Sequence, residues 1–226
     1  MEYKNIKSAK FMERPNRFIA YVEIDGEKKI CHVKNTGRCK ELLIPGVNVW
    51  VQHIKSPLRK TEYDLICVEK DGEFINIDSQ APNKIFRQWA ENSGYFGNGA
   101  TIRSEVKFKN SRFDFCIEKD GKKTFVEVKG VTLKEGEAAL FPDAPTDRGV
   151  KHLRELISCI KDGHGAYVFF IIQMKGVSYL SPNKITHPEF ATALSDAIDA
   201  DVKIFALDCK VTPESIEADS FVEIKA

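Results

Sequence analysis

The dipeptide Asp120-Gly121, set between two runs rich in Phe, Val and Ile, constrains this chain more than any other feature. A two-residue Asp-Gly connection between β-rich segments marks a type I′ turn, which takes left-handed backbone at both positions and pairs the flanking strands antiparallel. The spacing predicts a hairpin over residues 111–129, closed by Lys119 and Lys122. Continued along the strands, that register sets Asp114 opposite Glu127 and Arg112 opposite Lys129. Side chains alternate along a strand. Phe113, Phe115 and Ile117 therefore share a face with Val126 and Val128, while Asp114, Glu127 and Lys129 share the other.

Two neighbouring carboxylates can hold Mg²⁺ or Mn²⁺, which favour hard oxygen ligands and keep several waters. The backbone carbonyl of Val128 is a natural further ligand, and Lys129 can orient a water or steady charge developing on a phosphate. A bare Glu-x-Lys is more often a solvated strand face. The register argues against that here, because like charges directly opposed are unfavourable without a counter-charge or metal. Glu105, expected on the neighbouring strand, is a further candidate acid, in competition with Glu91 on the preceding helix. Asp143 and Asp147 read as loop and helix-start residues.

The remaining chain divides in two. Segments 17–23, 28–33, 47–54, 63–69 and 73–77 are short and β-rich, and turn signals separate them, among them Asp25-Gly26, Asn35-Thr36-Gly37, Pro45-Gly46 and Asp71-Gly72. Five strands in so short a stretch suit a small closed barrel, the OB-fold being the first candidate. Residues 38–43 read as a helical turn between strands. From residue 81 the texture changes. A helix is expected over 82–96, a strand over 100–109, then the hairpin, an irregular loop over 130–144 and a helix capped by Thr146 or Asp147. A strand buried on both faces follows over 166–173, then a helix over 187–197 and a strand over 202–208. The expectation is an α+β or mixed α/β architecture, a mixed sheet flanked by helices, with the boundary between units 1–80 and 81–226.

Charge favours no partner outright, since the net value is only +1. Acids outnumber lysines from Asp196 onward, which leaves the rest of the chain net basic. Arg14, Arg17, Arg38, Lys55, Arg59 and Lys60 cluster near turns of the barrel half, with Phe11, Phe18, Tyr21 and Trp50 interleaved. Basic loops and aromatics on a small barrel suit single-strand binding, although aromatics there also serve as core. In the second half Arg112, Arg148 and Lys151 are the cations placed to grip a phosphate backbone. His152, followed by an apolar stripe, reads as a packed or hydrogen-bonded histidine rather than a ligand. The six cysteines form no CxxC pair, and the longest apolar run, 166–172, is far short of a membrane span. A cytoplasmic chain without disulfides is expected. Walker, GxGxxG, GxSxG and HExxH motifs are absent.

Several longer motifs then fall in order: Arg14-Pro-Asn-Arg-Phe18, His32-Val-x-Asn35-Thr-Gly-Arg38, Glu41-Leu-Leu-x-Pro45-Gly46, Ala81-Pro82-Asn83, Ser111-Arg-Phe-Asp114-Phe, Val126-Glu-Val-Lys129-Gly-Val-Thr-Leu133 and Phe141-Pro-Asp143-Ala-Pro-Thr-x-Arg148-Gly-x-Lys151-His152-Leu. Together they resemble the sugar fermentation stimulation protein A family. The resemblance implies an N-terminal OB-fold and a C-terminal domain like the PD-(D/E)XK nucleases. It also implies DNA binding without sequence specificity and a role in regulating sugar (maltose) metabolism. The superfamily's metal-binding Asp falls on Asp114 and its Glu-x-Lys on Glu127 and Lys129, although Phe113 stands before Asp114 where the superfamily's name has proline.

The expected function is that of a DNA-binding protein with a divalent-metal-dependent nuclease site: Asp114, Glu127 and the Val128 carbonyl on Mg²⁺ or Mn²⁺, Lys129 on the attacking water, and Glu105 as a further candidate ligand. The alternative from another class is a non-enzymatic DNA-binding regulator that retains the fold. A glycosidase using Asp114 and Glu127 as an acid–base pair is weaker, because such carboxylates flank a sugar-sized cleft about 5 to 10 Å across. DNA is the expected partner, no membrane is expected, and self-association is compatible with the pattern.

Overall fold

The computed structural model describes residues 1–35 and 37–226; the Asn35-Thr36-Gly37 turn expected above includes Thr36, which lies outside the described residues. The first half is built from β1 (Ile6–Asn16), β2 (Ile19–Ile24), β3 (Glu27–Val33), β4 (Asn48–His53), β5 (Tyr63–Lys70) and β6 (Glu73–Asn76). They hydrogen-bond in the order β3-β2-β1-β4-β5-β6, and a parallel pairing of β3 with β5 through Cys31↔Tyr63 and Val33↔Leu65 closes the barrel. Alternation produces the core, because Ala20, Val22 and Ile24 of β2 point inward against Val49, Val51 and Leu65.

The closed barrel therefore holds five strands, but not the five expected. The expected set included the β6 segment and lacked β1. More than half of β1 is polar (Lys7, Ser8, Lys10, Glu13, Arg14 and Asn16), and only Ala9 and Phe11 are buried, so its periodicity is faint. Its existence is tertiary. Register shifts between Phe11 and Glu13 and between Glu13 and Asn16 bend it, so one strand pairs with β2 and β4. Around residues 38–43 the Leu42 and Leu43 amides both donate to the Cys39 carbonyl, making a single turn.

The second half opens with α1 (Ala81–Asn92), Pro82 lying in its first turn. It stops short of the expected Phe96, because the Ser93 amide closes on Trp89 and Gly94 takes φ +65°. Then come β7 (Thr101–Phe108), β8 (Ser111–Lys119) and β9 (Lys122–Val131). Asp120 and Gly121 have φ of +50° and +75°, as a type I′ turn requires, and Lys119 pairs with Lys122.

Residues 130–144, expected as a loop, instead hold the end of β9 and a small hairpin, β10 (Leu133–Glu135) and β11 (Ala138–Phe141). Strands this short carry little local signal, and β11 takes its partner from far along the chain. After α2 (Asp147–Lys161), β12 (Gly165–Ile172), β13 (Tyr179–Pro182), α3 (Pro188–Asp199), β14 (Lys203–Thr212), β15 (Ser215–Phe221) and β16 (Glu223–Ile224), the small sheet reads β10-β11-β13-β16. Thr146, not Asp147, caps α2 by accepting from the Gly149 amide at 3.0 Å.

The main sheet has the order β15-β14-β12-β9-β8-β7. Its centre, β12, runs parallel to both β9 and β14, and Phe169, Phe170, Ile171 and Ile172 are fully buried there. Each such side chain contributes roughly 1.5–3 kcal/mol by leaving water. On one face Ile85 and Phe86 of α1 pack against Phe115, Val126 and Phe169; on the other Leu153 and Leu156 of α2 pack against Phe125, Val168 and Phe170. The second cluster continues into the barrel interior, so the two halves share one core.

Candidate functional site

The β8–β9 pairing runs from Lys119↔Lys122 to Phe115↔Val126 and stops there. The continuation to Asp114 opposite Glu127 and Arg112 opposite Lys129 does not form as ladder pairs, and Arg112 instead pairs with Lys107 of β7. On the other side of β8, Glu105 takes φ +56° opposite Asp114, where the β7–β8 ladder skips a pair. Asp114 thus sits where both flanking ladders are interrupted. Its side chain takes up what the ladder leaves open: Oδ2 accepts from the Val128 amide at 2.8 Å, and Oδ1 accepts from Asn83 Nδ2 of α1 at 2.8 Å. The irregularity also corrects the expected facing of Phe113. It packs with Phe125, Phe108 and the His152 ring, on the α2 side of the sheet, rather than with Phe115.

Glu127 is only 3% exposed. Its Oε1 accepts from Lys129 Nζ at 2.6 Å and meets His152 Nδ1 of α2 in a short contact, whereas Oε2 is buried with no partner among the described residues. Burial alone would push the Glu127 carboxyl up, but the His152 hydrogen bond and the Lys129 charge outweigh it and hold it below the usual carboxylate range. Asp114 moves the other way, pushed up by burial and by the Glu127 charge despite the Val128 amide and Asn83. Two acids driven apart by one environment, beside a half-buried lysine, form a polarised cluster of the kind that chemistry uses. An unsatisfied buried carboxylate oxygen in its midst demands an explanation.

The other candidates are placed as follows. Glu105 is exposed and lies 3.7 Å from Arg112, and Glu91 is bound to Arg87 at 2.8 Å. The structure brings neither to the pair, and among the described residues no group of three or more His, Cys, Asp or Glu side chains is placed to share a metal. In the barrel Arg14, Arg17, Arg38 and Lys40 line a groove of about 580 Å³ with Phe11 and Leu43. Arg14 is committed to its own chain: Nη1 donates to the carbonyls of Gly37 and Arg38, and Nη2 to those of Arg17 and Asn35, at 2.7–2.9 Å. Arg17 and Arg38 are exposed. Lys60 is exposed outside the groove lining, and the neighbouring Arg59 is held by Asp64. Of the interleaved aromatics Phe18 is 51% exposed, with the Arg17 guanidinium over its ring at 5.6 Å; Phe11 is core, Trp50 packs edge-on against Phe74 and Tyr21 lies under Lys28.

On α2, Lys151 donates to the Asn110 carbonyl at 3.2 Å, and exposed Arg148 donates through Nε to His152 Nε2 at 3.5 Å. His152 is the member of the cluster that sequence reading did not place there, although Arg148 and His152 stand four apart on one helix face. Asn83 was visible only as part of a motif. Asp143 lies against the barrel: a Cβ added to Gly37 would fall 2.2 Å from its Oδ2.

An OB barrel with a cationic groove shares its core with a mixed sheet that carries a buried acid, a partly buried acid and a lysine, and the two parts define a barrel-plus-mixed-sheet protein. Residues 12–77 match the SfsA N-terminal OB domain and residues 80–215 the sugar fermentation stimulation protein RE domain. The chain belongs to the sugar fermentation stimulation protein family. It is 59% identical over 225 residues to a sugar fermentation stimulation protein homolog of Desulfitobacterium hafniense, covering all of this chain and 98% of that one. A homolog of Ruminiclostridium cellulolyticum is 54% identical with both chains fully covered. Among solved structures, that of Pyrococcus furiosus SfsA in complex with Ca²⁺ matches with a TM-score of 0.91 at 32% identity, covering all of this chain and 98% of that one. No helix is long and apolar enough to cross a membrane among the described residues, and all six cysteines are buried and free.

Proposed function

We propose that the chain is a DNA-binding protein of PD-(D/E)XK nuclease type that hydrolyses phosphodiester bonds with a divalent metal. The observation that carries the reading is the buried, unpartnered Oε2 of Glu127 beside an Asp114 whose carboxyl is pushed up by the same environment. A hard cation is the partner that both features call for. Asp114, Glu127 and the Val128 carbonyl would hold Mg²⁺ or Mn²⁺, and a relative has been described in complex with Ca²⁺. A metal bound there supplies Lewis-acid polarisation of a phosphoryl oxygen and a more acidic bound water.

The chain's own residues do the rest. Lys129 Nζ, held at 2.6 Å from Glu127, places a cation where negative charge grows on the phosphoryl group. Asn83 and the Val128 amide fix the Asp114 carboxylate, so it needs little reorganisation. Arg17, Arg38 and Phe18 on the barrel, with Lys60, Arg112, Arg148 and Lys151, supply sequence-independent backbone contacts. The cytoplasm fits six unpaired cysteines, and a link to sugar metabolism comes from the names of the relatives.

The test is calorimetric titration with Mn²⁺ and Mg²⁺, together with cleavage of labelled single- and double-stranded DNA by wild type and Glu127→Ala at matched folding. Metal binding and cleavage that both vanish in the variant are expected. A second reading, a DNA-binding regulator that does not cut, is favoured by one observation: both Asp114 oxygens already have donors without any metal. DNA binding with neither metal binding nor cleavage would establish it instead.

A further inference from the structure

His152 is 5% exposed, walled by the Phe113 ring at 6.1 Å, and touches the acid pair through one atom. Its Nε2 faces the Nε–H of Arg148, a group that can only donate. Nε2 must therefore offer a lone pair, which leaves the ring proton on Nδ1, aimed at Glu127 Oε1. Lys129 Nζ donates to the same oxygen. Glu127 thus receives two donors on Oε1 and none on Oε2. A free carboxylate rotates and shares its oxygens; this one is fixed in rotation and presents a single atom.

We propose that His152 is a positioning residue that holds Glu127 in this one-oxygen presentation, with Arg148 setting the histidine tautomer, so that the divalent cation meets a preset Oε2 ligand. The inference rests on the metal reading above and extends it to two residues on α2. Partners of this kind, which orient a ligand without touching the metal, typically contribute about 10–100-fold to metal affinity. Arg148 is also exposed at the start of α2, so the surface that meets a phosphate backbone is one residue removed from the acid that meets the metal.

The experiment uses the full chain and Mn²⁺ alone as the probe. His152→Phe keeps a ring against Phe113 but donates nothing; His152→Asn restores an N–H near the Nδ1 position. Calorimetry should show Mn²⁺ affinity about 10-fold or more weaker in His152→Phe and largely recovered in His152→Asn. Long-range proton–nitrogen NMR of the metal-free wild type should report the proton on Nδ1, a readout that no variant's folding can disturb.

Wild-type-like Mn²⁺ affinity in a folded His152→Phe, equal loss in His152→Phe and His152→Asn, or a proton on Nε2 would each overturn the inference while leaving the metal site standing. Absence of Mn²⁺ binding by wild type would overturn the metal reading and this inference with it.

Discussion

The molecule contains two buried carboxylates with nearly the same neighbours, and they differ in one respect. Asp64 of the barrel is 4% exposed and Glu127 of the sheet is 3% exposed. Each has a histidine and a lysine close by: His32 and Lys34 for Asp64, His152 and Lys129 for Glu127. Both carboxyls are held below their ordinary range although burial opposes it. Asp64, however, also receives the forked guanidinium of Arg59, whose Nη1 and Nη2 reach both of its oxygens. Every lone pair that matters is spoken for, which is the geometry of a structural ion pair. Glu127 has its donors crowded on one oxygen, an orphan on the other, and a second acid close enough to be disturbed by it. Similar burial and similar neighbours give a brace in one place and an open acceptor in the other, and the distribution of donors decides which.

The comparison breaks most sharply under substitution. Glu127→Gln should lower cleavage by at least about 100-fold, the scale for losing one electrostatic group at a reacting centre, with a smaller effect on melting than loss of the Asp64 charge, because it also relieves the repulsion on Asp114. Asp64→Asn should do the reverse, leaving cleavage near wild type while costing about 3 kcal/mol, since it strands the Arg59 guanidinium. Parallel cleavage and thermal-melt measurements on the pair would refute the contrast if the two variants behaved alike.

A next effect is metal-linked stability. Mn²⁺ at 100 times its dissociation constant should stabilise wild type by about 2.7 kcal/mol and Asp64→Asn equally, but not Glu127→Gln. A melting shift in Glu127→Gln would place the metal elsewhere.

The pH dependence separates Asp64 from the acid next to Glu127. Asp64 titrates lower in the folded chain than unfolded, so its contribution is present above the ordinary carboxylate range and lost as pH falls through its folded value. Asp114 titrates higher when folded, so its contribution is present at low pH and lost as pH rises through its folded value. Metal-free Asp114→Asn should therefore gain melting temperature over wild type as pH rises, whereas the deficit of Asp64→Asn should shrink as pH falls. Melting curves that shift in parallel with pH for both variants would contradict the assignment.

The smallest expected effect concerns the groove. Arg17→Ala and Arg38→Ala should each weaken DNA binding uniformly across sequences and reduce the salt slope by about 1, as the loss of one phosphate contact does. Arg14→Ala, whose guanidinium serves four carbonyls, should lower barrel stability more than it alters the slope. Fluorescence anisotropy over a salt series distinguishes them.

Much of this was legible because it is local. Asp120-Gly121 set the turn and its first pairs, and the apolar run at 166–172 announced the central strand. What escaped depends on distance. β1 exists through partners on either side of it, and β10, β11 and β13 are too short to declare themselves without one another. Extending the hairpin register set Asp114 beside Glu127, yet the ladder stops one pair before Asp114, and that interruption turns Phe113 to the other face. Glu105 lies on the neighbouring strand as expected, but its exposed side chain pairs with Arg112. His152 looked like core and is core. Its second role arises from Glu127 on a strand that the helix merely covers.

Gly37 carries a consequence beyond its own turn. It forms part of the lip of the cationic groove and also lies against Asp143, on the segment that leads into α2 and its Arg148. A methyl group at residue 37 would claim the space of the Asp143 carboxylate, and the Asp143 and Asn35 side chains would have to turn away to admit it. A side chain at that one position on the groove's lip would therefore be felt first by Asp143, where the barrel meets the segment that leads into α2.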